Sequence, residues 1–337
     1  MNSTVGTVVV EYITANLAEV TVCAVTLCII LVLSLILLCG KQSSNKVKVN
    51  EVFIYPIKSC RGIKVPRAKI TARGLENDRI FAIVKGSSME HISLRCTPKM
   101  ATIVPEFSSD GSSLTLTASD VDDLSISLAE PQSTLLQMKV WDDCIDAREV
   151  SSDASKWVCD ALGVPGLMLL RISDKFTRKL GAEFSSQGHT GLADEAPVML
   201  ASTASLRMLN RRLSEPVSML NFRPNIVVSG CAGFAEDKFK TVTIGGSQKE
   251  DVSGVDSGVV LTAAKLTSRC SLPNTHPILG VRDNNLSVTK ALREFRTGTH
   301  LDLGVDLADS VFFGIQLDNA GCEGADVCIG DAITYSH

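Results

Sequence analysis

From Val47 onward the hydrophobic positions alternate more often than they recur at helical spacing. VKVNEVFIYPIKS, Val47 to Ser59, alternates in part and is dense in β-branched residues, which suits a strand. SLTLTAS and LSISLAE flank Asp120 to Asp123 and predict a hairpin. NIVVSG, KTVTIGG and GVVLTAAKL add further strands. Helical patterns are fewer. Ser152 is placed to cap a segment through Leu162, with Gly163 as its stop. Ser202 is placed to cap TASLRMLNRRL, where Leu206, Leu209 and Leu213 share one face and Pro216 ends the run. Ser287 to Gly298 is a third candidate. The pattern predicts an α+β, sheet-dominated, barrel-like protein without a 20–50-residue repeat.

One segment breaks the alternation completely. VTVCAVTLCIILVLSLILLCG, Val20 to Gly40, carries no charge and has the length of a bilayer-crossing helix. No Lys or Arg precedes Lys41, so the positive start of a cleaved signal is missing. Lys41, Lys46 and Lys48 follow the run, while Glu11 and Glu19 precede it, which orients the body toward the cytosol. The expected organisation is a tail over 1–19, a transmembrane anchor over 20–40, a polar tether over 41–50, and then the body.

Charge narrows the function. Lys and Arg number 33 against 37 Asp and Glu, a formal net of -4, and aromatics are 5% of the chain. Neither a basic field nor a stacking platform for nucleic acid is present. Eleven cysteines without paired spacing read as reduced thiols rather than a disulfide framework. GxGxxG, GxxxxGK[ST] and GxSxG are absent, and the five histidines lie at no metal-ligand spacing.

What remains is a set of polar residues interrupting apolar strands. YPIKSCRG carries Lys58 and Ser59 off a strand end, GLENDRIFAI places Arg79 at a strand start, and NFRPNIVVSG sets Arg223 and Asn225 around Pro224. Ser268 and Arg269 then lead to the lone Cys270 in SRCSLPNTHPILG. Lysine and arginine at strand ends can converge on a phosphate, and Ser59 and Asn225 can read a heterocycle's edges. Each residue alone also fits a solvated strand end, and Cys270 alone fits a small buried hydrophobe.

The order YPIKSC, GLENDRIFAI, LADEAPVMLASTASLRMLNRRL, NFRPNIVVSG, EDKFKTVTIG and SRC resembles the MOSC-domain molybdenum enzymes, on their membrane-anchored, amidoxime-reducing branch. The resemblance runs from about Val47 to the C-terminus and implies a MOSC N-terminal β-barrel-like domain over 51–180 and a MOSC β-barrel domain over 181–337. It implies a molybdenum-molybdopterin cofactor (Moco) whose metal takes Cys270 as protein ligand, the pterin dithiolene supplying the other sulfurs. Lys58, Ser59, Arg79, Arg223, Asn225 and Ser268 match cofactor-holding positions, and Asp194 matches the acid near the metal, a candidate proton relay or orienter. The implied activity is reduction of N-hydroxylated compounds, amidoximes and N-hydroxylamines, with electrons from NADH through cytochrome b5 reductase and cytochrome b5. The implied location is the mitochondrial outer membrane.

A molybdenum-cofactor or sulfur carrier, or a binder without turnover, is the alternative. The lack of an aminotransferase-like lysine domain, and so of pyridoxal phosphate chemistry, together with the apolar run favours the reductase. The chain also departs from the family pattern. His276, Ile278 and Leu279 interrupt the stretch after the cysteine, Leu192-Ala193 and Glu195-Ala196 flank Asp194, and a polar insertion spans roughly Gly246 to Gly258. Cys322 and Cys328 read as surface-loop thiols.

Overall fold

The strand Lys48–Ile54 finds its partner far along the chain, antiparallel to Ile226–Ser229 with Val52 opposite Ile226. The computed structural model describes residues 46–181, 184, 188–245, 258–319 and 321–337. Ile226–Ser229 runs parallel to Val198–Ser202, which pairs with Val311–Asp318. Val259–Arg269, Thr241–Ile244 and Ile333–Ser336 follow in order. The sheet then closes on its first strand. Ala332 bridges Lys48, the Ile333 amide donates to the Val47 carbonyl at 2.8 Å, and the Gly330 amide to that of Val49 at 2.9 Å. Closure leaves no open edge along this seam and turns the alternating apolar positions inward. Val49, Val52, Leu200, Ile226, Val242, Leu261 and Leu317 fill the interior.

A second, smaller ring forms in the same way. Phe81–Lys85, Leu167–Ile172, Asp143–Glu149 and Leu135–Val140 pair in that order. Residues 89–92 close it. The Lys85 amide donates to Glu90, that of Ile92 to Ile83, that of His91 to Lys139 and that of Lys139 to Met89, all within 2.8–3.0 Å. Phe81, Ile83, Met138, Ile145 and Leu169 fill this core, and the helix Ser152–Leu162 packs Val158 and Ala161 into it. Residues Lys46–His337 form one compact unit.

Most expected elements are present, with informative shifts. The strand Ser113–Thr117 pairs with Leu124–Ser127 as the expected hairpin. The first helix is capped by Ser151 rather than Ser152, because Ser151 keeps extended backbone and its hydroxyl accepts the Ala154 amide at 3.0 Å. Gly163, at φ 70°, ends that helix. Ser202 caps the second helix as expected, but the helix is Thr203–Asn210 and stops before Leu213. The Asn210 side chain grips both the amide and the carbonyl of Val217 at 3.0 and 2.9 Å and folds the chain back early. The third helix, Ser287–Arg293, stops short of Gly298, and beyond it Arg296 forks onto Asp237 at 2.6 and 3.0 Å.

The ring built mainly from residues after Val198 thus takes in Lys48–Ile54, which spans the end of the expected tether over 41–50 and the start of the expected N-terminal domain over 51–180. The expected membrane anchor over 20–40 lies outside the described residues, as does most of the insertion between Thr241–Ile244 and Val259–Arg269. Among the described residues no helix is long and apolar enough to cross a membrane.

Glu236 is buried beneath the second helix, with one carboxyl oxygen accepting from the Ser205 hydroxyl and the other without a partner. Burial pushes its pKa from 4.5 to about 7. Between those values the folded chain keeps a proton that the unfolded chain has released, so this group's contribution to stability falls as pH rises through the window. Glu236→Gln has no proton to lose and gains stability relative to the parent across that interval. Paired thermal melts check this, and parallel pH curves for the two proteins would refute it.

Candidate functional site

Between the two rings lies a cleft of about 400 Å³, lined by Lys58, Ser59, Arg79, Asp194, Arg223, Asn225, Ser268 and Cys270 together. All eight residues singled out in the sequence therefore reach one cavity. His91, Ser93, Arg95 and Trp141 form its wall on the small-ring side, and Thr267, Arg269 and Gln316 complete the other.

The cationic side is built on Tyr55, whose ring is fully buried after the first strand. The Arg79 guanidinium lies over that ring at 4.8 Å and that of Arg223 at 4.3 Å. Asp78 holds Arg79 in a buried ion pair and also accepts the Tyr55 amide at 2.8 Å. Arg79 further donates to the Arg223 carbonyl at 3.2 Å and to Asn225 Oδ1 at 3.3 Å. The Asn225 amide has more than one employer: its oxygen also accepts from Met199 N at 3.2 Å, and its nitrogen donates to the Phe53 carbonyl at 3.3 Å. Asn225 therefore also fixes Arg79 and two strands of the large ring while lining the cleft.

Asp194 sits at the lip, with 62% of its side chain open to solvent. Lys58, 7% open, donates to its Oδ1 at 2.5 Å and to the Leu192 carbonyl at 2.8 Å. Arg178 ties the same loop from outside, donating to the Ala193 carbonyl at 2.8 Å and pairing with Asp143 at 2.6 Å. The cleft walls desolvate Asp194 and raise its pKa, but the adjacent Lys58 charge, the Trp141 indole and Arg79 outweigh this and hold the carboxyl well below its usual range. Burial pulls Lys58 down, against the pull of Asp194. Burial, and then the Lys58 charge, push His91 to about 4, so its ring is neutral near pH 7.

Four lining residues hold left-handed backbone: Ser59 at φ 72°, Arg79 at 50°, Trp141 at 56° and Arg223 at 57°. Side chains rarely accept that conformation, which costs roughly 1–2 kcal/mol per residue. Trp141 owes it to the two-residue turn joining Leu135–Val140 to Asp143–Glu149.

The cleft also gathers unmet hydrogen bonds. Arg223 Nη2, Arg269 Nε, Thr267 Oγ1 and His91 Nε2 are buried without partners. Five cations (Lys58, Arg79, Arg95, Arg223 and Arg269) face two carboxylates, Asp194 and Glu195. An anionic, polar-edged ligand satisfies such an array. Among the described residues no three His, Cys, Asp or Glu converge to hold a metal, and the cleft lining offers the exposed Cys270 as its thiol donor.

The MOSC N-terminal beta barrel domain matches residues 46–165, and the MOSC domain matches residues 187–334. Mitochondrial amidoxime-reducing component 1 of Mus musculus is 32% identical over 244 residues, 70% of this chain and 67% of that protein. The chain belongs to the MOSC family. Its Xenopus laevis relative of the same name is 30% identical over 259 residues, covering 73% of this chain and 71% of that one. A molybdenum cofactor sulfurase of Drosophila grimshawi is 30% identical over 206 residues, but these are 25% of that longer protein. The cleft also includes His91, Arg95, Trp141 and Arg269, which are not among the candidate site residues of the sequence analysis. Arg269 stood beside Cys270 in SRC, whereas nothing in the spacing of His91, Arg95 and Trp141 points toward Asp194.

Asp78 satisfies a backbone amide and a guanidinium at once, so Asp78→Ala is expected to cost about 3 kcal/mol or more. Urea unfolding measures this, and a loss below about 1 kcal/mol would show that the pair is relaxed by water.

Proposed function

We propose that this MOSC protein is a molybdenum-cofactor-dependent reductase of N-hydroxylated compounds. The observation that carries the reading is the single cleft in which unpartnered cationic donors stand with one exposed thiol. Arg79, Arg223 and Arg269 would hold the anionic pterin, with Ser59 and Ser268 beside it, and Cys270 would give its thiolate to the metal. The bound cofactor supplies two-electron redox chemistry. Reduction of an amidoxime consumes two electrons and two protons, breaks the N–O bond and releases water and an amidine.

The chain's own part is protons and placement. Asp194 is held ionised by Lys58, so it orients instead of donating, and the proton-bearing member of the pair is the Lys58 ammonium. Burial lowers the Lys58 pKa, which eases proton donation from its ammonium. Amidoximes are neutral, whereas the amidine formed takes up a proton, and a cleft with five cations repels it.

The names of the relatives support a mitochondrial setting. The resemblance supplies cytochrome b5 and its NADH-dependent reductase as the electron path, and the charge-free run over 20–40 supplies the outer-membrane anchor. The sulfurase likeness supports a second reading, a cofactor or sulfur carrier.

Benzamidoxime reduction with the electron chain supplied, normalised to bound molybdenum, tests the proposal. Cys270→Ser and Cys270→Ala are expected to abolish turnover while some pterin stays bound; near-parental turnover in either would remove Cys270 from the metal. A protein that loads molybdenum, passes it to an acceptor and never reduces an N-hydroxylated compound would be the carrier. Because Lys46–His337 is one compact unit, that fragment is expected to stay soluble and to retain molybdenum. A folded fragment without molybdenum would contradict this.

A further inference from the structure

The cleft has a second wall that the cofactor reading leaves unused. It comes from the small ring, where the strap 89–92 fixes His91 between Phe81–Lys85 and Leu135–Val140 through backbone hydrogen bonds. His91 Nε2 is buried, unpartnered and part of the cleft lining. A hydrogen bond with the backbone of Lys139 favours the charged ring but does not overcome burial and the nearby Lys58. With the ring neutral, the tautomer that carries its proton on Nδ1 leaves the unpartnered Nε2 as an acceptor toward the cleft.

Trp141 stands beside it, ring centroids 5.0 Å apart at 76°. Its indole N–H donates to Asp194 Oδ1 at 3.1 Å, and Arg95 lies over its ring at 4.4 Å. Although held from these sides, Trp141 remains 46% exposed. A large rigid aromatic surface left open at a polar lip is suited to covering a flat ligand. A buried acceptor among Lys58 and Arg95 suits a neutral ligand that brings its own O–H or N–H.

We propose that His91 and Trp141 form the substrate wall: His91 Nε2 accepts a hydrogen bond from the N–OH or N–H of the ligand, while Trp141 covers its planar body. This rests on the reductase reading and narrows its substrates to flat, uncharged N-hydroxylated bases such as aryl amidoximes. Trp141 and Trp157 are the chain's two tryptophans, and Trp157 is buried against the small ring. Trp141 is therefore the tryptophan that a ligand in the cleft would touch.

The test titrates benzamidoxime into molybdenum-loaded full-length protein, following heat and tryptophan fluorescence. Binding is expected to quench Trp141 in the parent and in Trp157→Phe alike. His91→Phe keeps a ring beside Trp141 but removes the acceptor, and it is expected to weaken Kd about tenfold with molybdenum content unchanged. His91→Gln restores a carbonyl acceptor and is expected to return Kd to within about threefold of the parent. An unchanged Kd in His91→Phe overturns the contact, and so does equal weakening in the Phe and Gln variants. Binding without turnover in the parent counts against the reductase reading, whereas turnover with a parental Kd in His91→Phe counts against this wall alone.

Discussion

One buried aromatic ring sets the position of the cationic half of this site. Tyr55 follows directly on the strand that closes the large ring, and two guanidiniums rest on it. Its hydroxyl donates to the Pro224 carbonyl at 3.2 Å, which ties it to the turn that presents Arg223. Gly62 backs the ring so closely that a Cβ there would lie 2.4 Å from a ring carbon. Burial pushes the phenol well above its usual pKa, so it stays a neutral donor despite its cationic neighbours. The tyrosine works as a spacer: it keeps Arg79 and Arg223 near each other without pairing either with an acid that would consume its charge, apart from Asp78 behind Arg79.

The two walls divide the labour by the ring each belongs to. The large ring supplies the thiol with Arg223 and Arg269, carried at strand ends where side chains leave the sheet toward the opening. The small ring supplies a neutral imidazole and an aromatic surface, carried on a closing strap and a tight turn. Asp194 belongs to both, because Lys58 and Trp141 meet on the same carboxyl oxygen.

Lys58, Arg79 and Arg223 were legible in the sequence because each interrupts an apolar run, and an interruption is visible without knowing its neighbours; Arg95 interrupts none and was not. Helix starts and stops were legible to within a residue where a hydroxyl or a glycine decides them, as at Ser151, Ser202 and Gly163. Early helix ends were not, since Asn210 stops its helix by gripping Val217 and not through any breaker residue. Alternation told which face of Lys48–Ile54 is buried but not that its partner is Ile226–Ser229. His91 and Trp141 escaped notice for the same reason. They look like ordinary residues of a strap and a turn, and only ring closure brings them opposite Lys58. Asn225 was legible as a cleft residue, but not its bonds to Arg79, Met199 and Phe53, which depend on strands distant in the sequence.

The left-handed backbones at Ser59, Arg79, Trp141 and Arg223 bear on how this protein could be hardened. Glycine would relax each of them, and a search for heat-resistant variants scored on folding alone would be drawn to these positions. Every such gain would erase a side chain from the cleft. Asp120, Leu286 and Asp302 share the same backbone strain without lining the cleft, and they are where an engineer could relieve it at less risk to the site.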